Sequence, residues 1–247
     1  MNPNDQIAVV TGGASGIGKA CVQALRARGV RVAVWDRQSA TDTDDVIHCD
    51  VSDAGSIELA LRETITQMGV PRICINCAGI APARRMVGRD GAMPLAAFQQ
   101  VIDINLVGTF NVMRVVADAM TRLPLLPNAE ERGVIINTAS IAAFEGQMGQ
   151  TAYSASKGGV VAMTLPAARE LAQHAIRVNT IAPGLIATPM LLTMPQEVQD
   201  SLAAAVPFPK RFGMPEEFAA LMIHLIENTL INGEVIRLDG ALRMQPR

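Results

Sequence analysis

The chain has 247 residues, a net charge of −2, 49% apolar and 18% charged residues. That length suits one α/β domain or two small ones, and the apolar share supplies a core, which excludes a disordered chain. Both signs of charge are scattered, with no basic run beyond Arg84-Arg85, so a nucleic-acid partner is not expected.

Short β-branched runs alternate with helical patterns. Strands are predicted at 7–11, 31–35, 46–50, 72–76, 134–138, 176–181 and 234–238. Helices are predicted at 17–28, 54–68, 95–120, 151–173 and 215–227. Ile73-Cys74-Ile75 and Val134-Ile135-Ile136 are continuously apolar, as in strands covered on both faces. This βαβα rhythm predicts an α/β fold, a parallel sheet with helices on both sides. Residues 84–94, with Gly88, Gly91 and Pro94, read as a loop. Residues 183–214 carry four prolines after Pro183 and two helical patches, which suits a flap over a pocket. Apolar stretches fall short of the roughly 20 residues that cross a bilayer. MNPNDQIAVVTGG carries no basic n-region and no cleavage site, so a cytoplasmic protein without a membrane partner is expected.

The first strand runs into TGGASGIG at 11–18. Gly12 permits a tight turn, Gly16 lets backbone approach a pyrophosphate, and Gly18 lets the following helix pack close to the strand. The helix N-terminus offers free N–H groups to phosphate. Ala20 follows Gly18-Lys19, so the Ser or Thr of a P-loop hydrolase is missing. Asp36 ends the second strand 18 residues past Gly18, close to the spacing of about 20 at which an acid meets the adenosine ribose. A carboxylate accepts from both ribose hydroxyls and repels a 2′-phosphate, so Asp36 favours NAD over NADP. Arg37 beside it pulls the other way. Asp50 is placed to accept from an adenine amino group, with Val51 stacked nearby. The plain alternatives are a Gly-rich turn and a solvated strand end.

Of the four cysteines, Cys21, Cys49, Cys74 and Cys77, two make a C-x-x-C at 74–77. Along a strand these two point to opposite faces, and no second Cys/His pair completes a zinc site. Two buried free thiols and no metal are expected.

Tyr153 is the only tyrosine, in YSASK at 153–157. Lys157, four residues on, shares its helical face. A phenol titrates near 10 and is a poor base, and a neighbouring ammonium lowers that value. Tyr153 then exchanges a proton with an alcohol or ketone. Ser140, 13 residues upstream and just past a strand, is placed to hydrogen-bond the reacting oxygen. Asn105 lies in the helix 95–120, where an inward amide needs a partner. A casual exposed Tyr–Lys pair and a turn serine are the bland readings, which the Gly-rich loop outweighs.

TGGASGIG (11–18), NCAG (76–79), Asn105, Ser140, YSASK (153–157) and APGLIATP (182–189) together resemble the short-chain dehydrogenase/reductase family along essentially the whole chain. INTASIAAFEGQMGQTAYSASKGG (136–159), VPFPKRFG (206–213) and GEVIRLDGALRMQP (233–246) are similar to its type 2 3-hydroxyacyl-CoA dehydrogenase group. The resemblance implies one Rossmann-type doubly wound domain over 1–247 with a seven-stranded parallel sheet. A cofactor half would span about 1–140 and a catalytic and substrate half about 140–247, with a flap at 185–214. It implies a homotetramer, NAD as cofactor and a small acyl-CoA or similar alcohol or ketone as substrate. Cofactor contacts carry over to Gly12, Ser15, Gly16, Ile17, Gly18, Asp36, Asp50, Val51, Cys77, Ala78, Gly79, Tyr153, Lys157, Ile186 and Thr188. The catalytic set carries over to Asn105, Ser140, Tyr153 and Lys157, with Ser140 and Tyr153 meeting substrate and Asn105 supporting a proton-relay water. Between Asp36 and Asp50 the chain is shorter than the family usually is, which implies a trimmed or absent helix. The expected reaction interconverts a 3-hydroxyacyl-CoA and a 3-oxoacyl-CoA. An NADPH-dependent 3-oxoacyl reductase, a steroid or other alcohol dehydrogenase and a non-enzymatic NAD-binding scaffold are the alternatives.

Overall fold

In a computed structural model, residues 1–38, 46–127 and 130–246 are described. In chain order they form β1 (Ile7–Thr11), α1 (Gly16–Arg26), β2 (Arg31–Asp36), β3 (Val46–His48), α2 (Ala54–Gln67) and β4 (Ile73–Asn76). A small hairpin, β5 (Val87–Gly88) and β6 (Gly91–Ala92), precedes α3 (Leu95–Ile102), a π-turn at Asp103–Val107 and α4 (Gly108–Thr121). Then come β7 (Gly133–Thr138), α5 (Thr151–Ala172), β8 (Ile176–Pro183), α6 (Pro189–Leu192), α7 (Gln196–Ala204), α8 (Pro215–Glu227) and β9 (Val235–Leu238).

The main sheet is seven-stranded and parallel, ordered β3-β2-β1-β4-β7-β8-β9. Chain order reverses between β1 and β4, and a doubly wound sheet binds its ligand at such a point, outside the carboxyl ends of the strands. β4 is buried at every position and β7 at all but its last, which explains the apolar runs Ile73–Ile75 and Val134–Ile136. One sheet face packs Val10, Ile75 and Ile136 against Cys21, Leu25, Phe218 and Met222 of α1 and α8. The other packs Val9, Cys74 and Ile135 against Ile57, Val112, Val116 and Met120 of α2 and α4.

Most boundaries lie within two residues of those predicted, the ordinary scatter for helix and strand ends. Three differences are larger in kind. The loop 84–94 contains the β5–β6 hairpin, whose two-residue strands are too short to alternate; Gly91, at φ +100°, closes its turn. The helix 95–120 is broken by the π-turn, whose cause is Asn105, described below. The expected strand 46–50 ends at His48, because Asp50 turns the chain by accepting from the Ser52 N–H. The shortened stretch between Asp36 and Asp50 falls mainly on 39–45, outside the described residues.

Arg177 on β8 ties this frame together from inside. Its Nε donates to Glu131 Oε2 at 2.8 Å, with both side chains under a tenth exposed. Nη1 donates to Leu225 O at 2.7 Å and Nη2 to Ile226 O at 2.9 Å, at the C-terminal end of α8. Nη1 also reaches Asn228 O and Ile231 O. A cation there satisfies carbonyls without helical partners and matches the negative end of the helix dipole.

Candidate functional site

A cavity of about 400 Å³ lies over the carboxyl ends of β1, β2 and β4. Twelve of the residues expected to touch a cofactor line it: Gly12, Ser15, Gly16, Ile17, Gly18, Asp36, Asp50, Val51, Cys77, Ala78, Gly79 and Thr188. Arg37, Gln38, Cys49, Ile80, Ile104 and Pro189 complete the wall.

The glycines are dictated by contact. A Cβ on Gly18 would stand 2.1 Å from Gly12 O, and one on Gly12 would stand 2.9 Å from Ala78 backbone atoms. Gly16 takes φ +51° and faces Thr188. Backbone N–H groups at the α1 N-terminus therefore reach the cavity without side chains in the way, a cradle suited to a pyrophosphate. Gly18→Ala is expected to be severe, since backbone must move to admit the methyl. Dinucleotide affinity should fall at least about tenfold and Tm by several degrees, measured by titration and thermal unfolding.

Asp36 is held by two backbone donors, Ala14 N–H to Oδ2 at 3.1 Å and Gln38 N–H to Oδ1 at 3.0 Å. Its carboxylate is thus fixed at the cavity edge. Asp50 Oδ1 accepts from both N–H and Oγ of Ser52, and the Ser52 hydroxyl holds its carboxyl below the usual range. Val51 packs into the space left by Gly108, where a Cβ would lie 2.9 Å from its Cγ2.

Ser140, Tyr153 and Lys157 are not among the residues that line the cavity; Lys157 adjoins its wall at Gly79. Ser140 follows β7 and caps a short 3₁₀ turn, its Oγ accepting from Ala142 N–H at 3.1 Å. The Ser140 side chain acts on the Tyr153 phenol in the direction that favours its ionised form. Lys157 is buried, and its Nζ donates to Thr138 O at 2.7 Å, lying 5.9 Å from the centroid of the Tyr153 ring. Gly79 brings the cavity wall against it, since a Cβ there would lie 3.7 Å from Nζ. Burial lowers Lys157 to about 8, and the nearby Cys77 thiol partly opposes this.

Sequence reasoning has Lys157 acidifying Tyr153; the structure differs. Burial pushes the Tyr153 phenol above its ordinary value, and the Ser140 side chain only partly offsets that. At 5.9 Å from the ring, with its own charge weakened by burial, the ammonium does not overcome desolvation.

Asn105 is fully buried and its amide is spoken for. It accepts from Ile80 N–H at 2.9 Å, donates to Ile80 O at 2.8 Å, and reaches Ser156 Oγ at 3.1 Å. Clamping Ile80 from inside a helix turns the side chain inward where the helix widens to a π-turn, a distortion common at functional sites. Ile186 lies elsewhere: it is buried, bridges to Gly213 and lines a second cavity of about 250 Å³. The segment expected to form a flap contains α6, α7 and their connections, with Leu192 and Met194 exposed.

Several supporting residues lie inside the quoted motifs without being singled out by them. Thr11 Oγ1 accepts from the N–H groups of Cys77 and Ala78, each at 3.2 Å, and so shapes the cavity wall. Thr138 positions Lys157 through its carbonyl and Ser156 buttresses Asn105. Thr11 and Thr138 sit at strand C-termini, which is the available signal in an α/β sheet.

The family model described as enoyl-(acyl carrier protein) reductase matches residues 12–242. The 3-hydroxyacyl-CoA dehydrogenase type-2 of Bos taurus is 47% identical over 97% of this chain and 96% of its own. A 3-oxoacyl-(acyl-carrier-protein) reductase of Thermotoga maritima is 32% identical, covering 98% and 99%. The crystal structure of 3-hydroxyacyl-CoA dehydrogenase type-2 from Mycobacterium avium aligns over 100% of both chains with a TM-score of 0.91 and 40% identity.

The chain belongs to the short-chain dehydrogenase/reductase family. It is an oxidoreductase, and membership implies a nicotinamide nucleotide as cofactor. Among the described residues no helix is long and apolar enough to cross a membrane.

Proposed function

We propose that this enzyme interconverts 3-hydroxyacyl-CoA and 3-oxoacyl-CoA with NAD. One observation carries the reaction type: the buried Lys157 ammonium, held by Thr138 O at 2.7 Å, lies 5.9 Å from the centroid of the Tyr153 ring and beside Gly79 in the wall of a cavity fit for a dinucleotide. Similarity to acyl-CoA dehydrogenases at 47% identity over nearly the full length supports the substrate class. The first half of the chain, to about 140, holds the dinucleotide; the rest supplies chemistry and flap.

The backbone of Gly12 to Gly18 would hold the phosphates, and Asp36 the ribose. Bound nicotinamide supplies the hydride acceptor in oxidation and the donor in reduction. Ser140 Oγ orients the substrate oxygen. Tyr153 Oη takes the hydroxyl proton in one direction and gives it back in the other. Lys157 favours the phenolate electrostatically and Asn105 fixes the loop at Ile80. The same reading has the chain assemble as a homotetramer through exposed apolar side chains such as Val107 and Phe110.

The raised Tyr153 sets the sign of the pH dependence. A neutral phenol is ready to donate, so ketone reduction is supported at neutral pH, whereas alcohol oxidation needs the phenolate and should accelerate as pH rises. Lys157 is charged below about 8 and helps phenolate form there. Lys157→Met should therefore slow oxidation below about pH 8, where the ammonium is charged, and change it least above, read from kcat/KM against pH. An unchanged rate below pH 8 contradicts the electrostatic role.

The test of the function is a screen of 3-hydroxyacyl-CoA, steroid and short-chain alcohol substrates with NAD and NADP, following reduced nicotinamide. Acyl-CoA with NAD should give the highest kcat/KM. Asp36→Ala should erode the preference for NAD by about 10–100-fold, the value of a hydrogen-bonding charged group. Preference for NADP by the parent enzyme favours the 3-oxoacyl reductase reading; best turnover on a steroid sinks the acyl-CoA reading.

A further inference from the structure

Residues 144–150 join the 3₁₀ turn that Ser140 caps to α5, which carries Tyr153. Glu145 N–H donates back to Ile141 O at 3.0 Å, so Glu145 leaves that turn directly. Gly146 lies against α5, where a Cβ would overlap Ser154 Oγ. The path of this stretch therefore sets how Ser140 stands relative to Tyr153.

Arg237 on β9, two strands away from β7, holds the stretch in place. Its Nη1 and Nη2 donate to Glu145 Oε1 and Oε2 at 2.8 and 2.9 Å, a bidentate fork. Its Nε donates to Asp239 Oδ2 at 2.8 Å, and Nη2 also donates to Leu242 O at 3.0 Å. The guanidinium carbon lies 5.2 Å from the centroid of the Phe144 ring. The Arg237 and Glu145 side chains are under a third exposed, so water screens them less than an open surface pair. The guanidinium holds the Glu145 carboxyl below its ordinary value. Residues 242–246 brace the same stretch. Gln147 Nε2 donates to Gln245 O at 3.0 Å and Met148 N–H to Pro246 O at 3.1 Å. Ile141, next to Ser140, packs with Leu242 and Met244.

We propose that Arg237 is a positioning residue for the reaction: by clamping Glu145 it sets the placement of Ser140 against Tyr153. Arg237 does not line the dinucleotide cavity and acts through the backbone of 144–150. Lysine carries the same charge but has no planar fork to engage both Glu145 oxygens while also serving Asp239. The proposal rests on the reading of Ser140 and Tyr153 as the reacting pair.

The test compares Arg237→Lys, Glu145→Gln and Arg243→Ala in the full-length enzyme, each alone and combined with Tyr153→Phe. Arg243 meets the same Glu145 and Asp239, at 3.4 and 3.3 Å, but its side chain is 58% exposed, so its loss should change little. Amide hydrogen exchange read by mass should rise over 144–150 in Arg237→Lys and Glu145→Gln and match the parent over 12–18. With NADH and acetoacetyl-CoA, kcat should fall at least about tenfold with KM within about threefold, since a misplacement of about 1 Å costs up to about 10²-fold. On the Tyr153→Phe background the same change should cost less than about twofold, because no phenol is left to misplace. A merely structural loss lowers both backgrounds by the same factor. Equal penalties in the two backgrounds, or exchange over 144–150 that matches the parent, overturn the proposal. If Arg237→Lys does not fold, Glu145→Gln carries the same comparison. Exchange needs no turnover and decides even where another ketone is the better substrate. Near-parental turnover of Tyr153→Phe alone is a separate result: it sinks the reading of Tyr153 and this proposal with it.

Discussion

Tyr153→Phe is expected to lower turnover by about 10²–10⁴-fold, the usual worth of a positioned acid–base group. The substitution removes one oxygen and keeps the ring, so the Lys157 ammonium at 5.9 Å from its centroid keeps its packing. Ser140 Oγ retains the Ala142 N–H. Nothing in the phosphate cradle or at Asp36 is touched. Dinucleotide affinity should therefore change less than about threefold, since the ring and its packing stay and only one oxygen is lost. Trp35, the sole tryptophan, is fully buried beside Asp36 and gives the readout, through energy transfer to bound NADH. Lost turnover with retained binding is the expected pair of results. Turnover within a few-fold of the parent would remove Tyr153 from the chemistry.

Arg177→Met carries the largest expected effect on stability. It keeps most of the aliphatic volume and deletes every guanidinium donor. Glu131, under a tenth exposed, keeps only the Met1 ammonium at 3.3 Å as a cationic partner among the described residues. Leu225 O and Ile226 O lose the donors that close the end of α8. Breaking a buried pair by removing one partner costs about 3–5 kcal/mol. For a chain of this size that corresponds to a Tm lower by roughly 6–20 °C, measured by calorimetry. Glu131→Gln combined with Arg177→Met should cost less than the sum of the two single changes, because neutralising Glu131 removes the charge that loss of Arg177 strands. Strict additivity would show that the pair is not coupled.

What the sequence discloses follows from how local each signal is. Gly12, Gly16, Gly18 and Asp36 lie within one βαβ unit, and they line one cavity. The parallel sheet is legible for the same reason: Ile73 to Ile75 and Val134 to Ile136 are apolar at every position because both faces are covered. Residues that act across the fold are less legible. Asn105 invites a partner, but Ile80 is 25 positions away and no period links them. Its hold on that backbone is also what breaks the expected helix. Ile186 reads with Thr188 in one motif, yet the chain turns between them, and only Thr188 reaches the dinucleotide cavity.

Tyr153 and Lys157 show the limit most clearly. Their spacing predicts a shared face, and the structure places them together. The direction of the Tyr153 shift depends on burial, which is a tertiary quantity that four-residue spacing does not carry. The thiols behave alike. The C-x-x-C pattern draws attention to Cys74 and Cys77, whose side chains join different core clusters on the two sides of the sheet.

The most direct measurement of the central claim is a crystal structure of the enzyme with NADH and a 3-oxoacyl-CoA. The account predicts Tyr153 Oη and Ser140 Oγ both within about 2.6–3.2 Å of the 3-oxo oxygen, with the nicotinamide face against the carbon that bears it. A ketone bound beyond about 5 Å from Tyr153 Oη, too far for direct transfer or one bridging water, would contradict it.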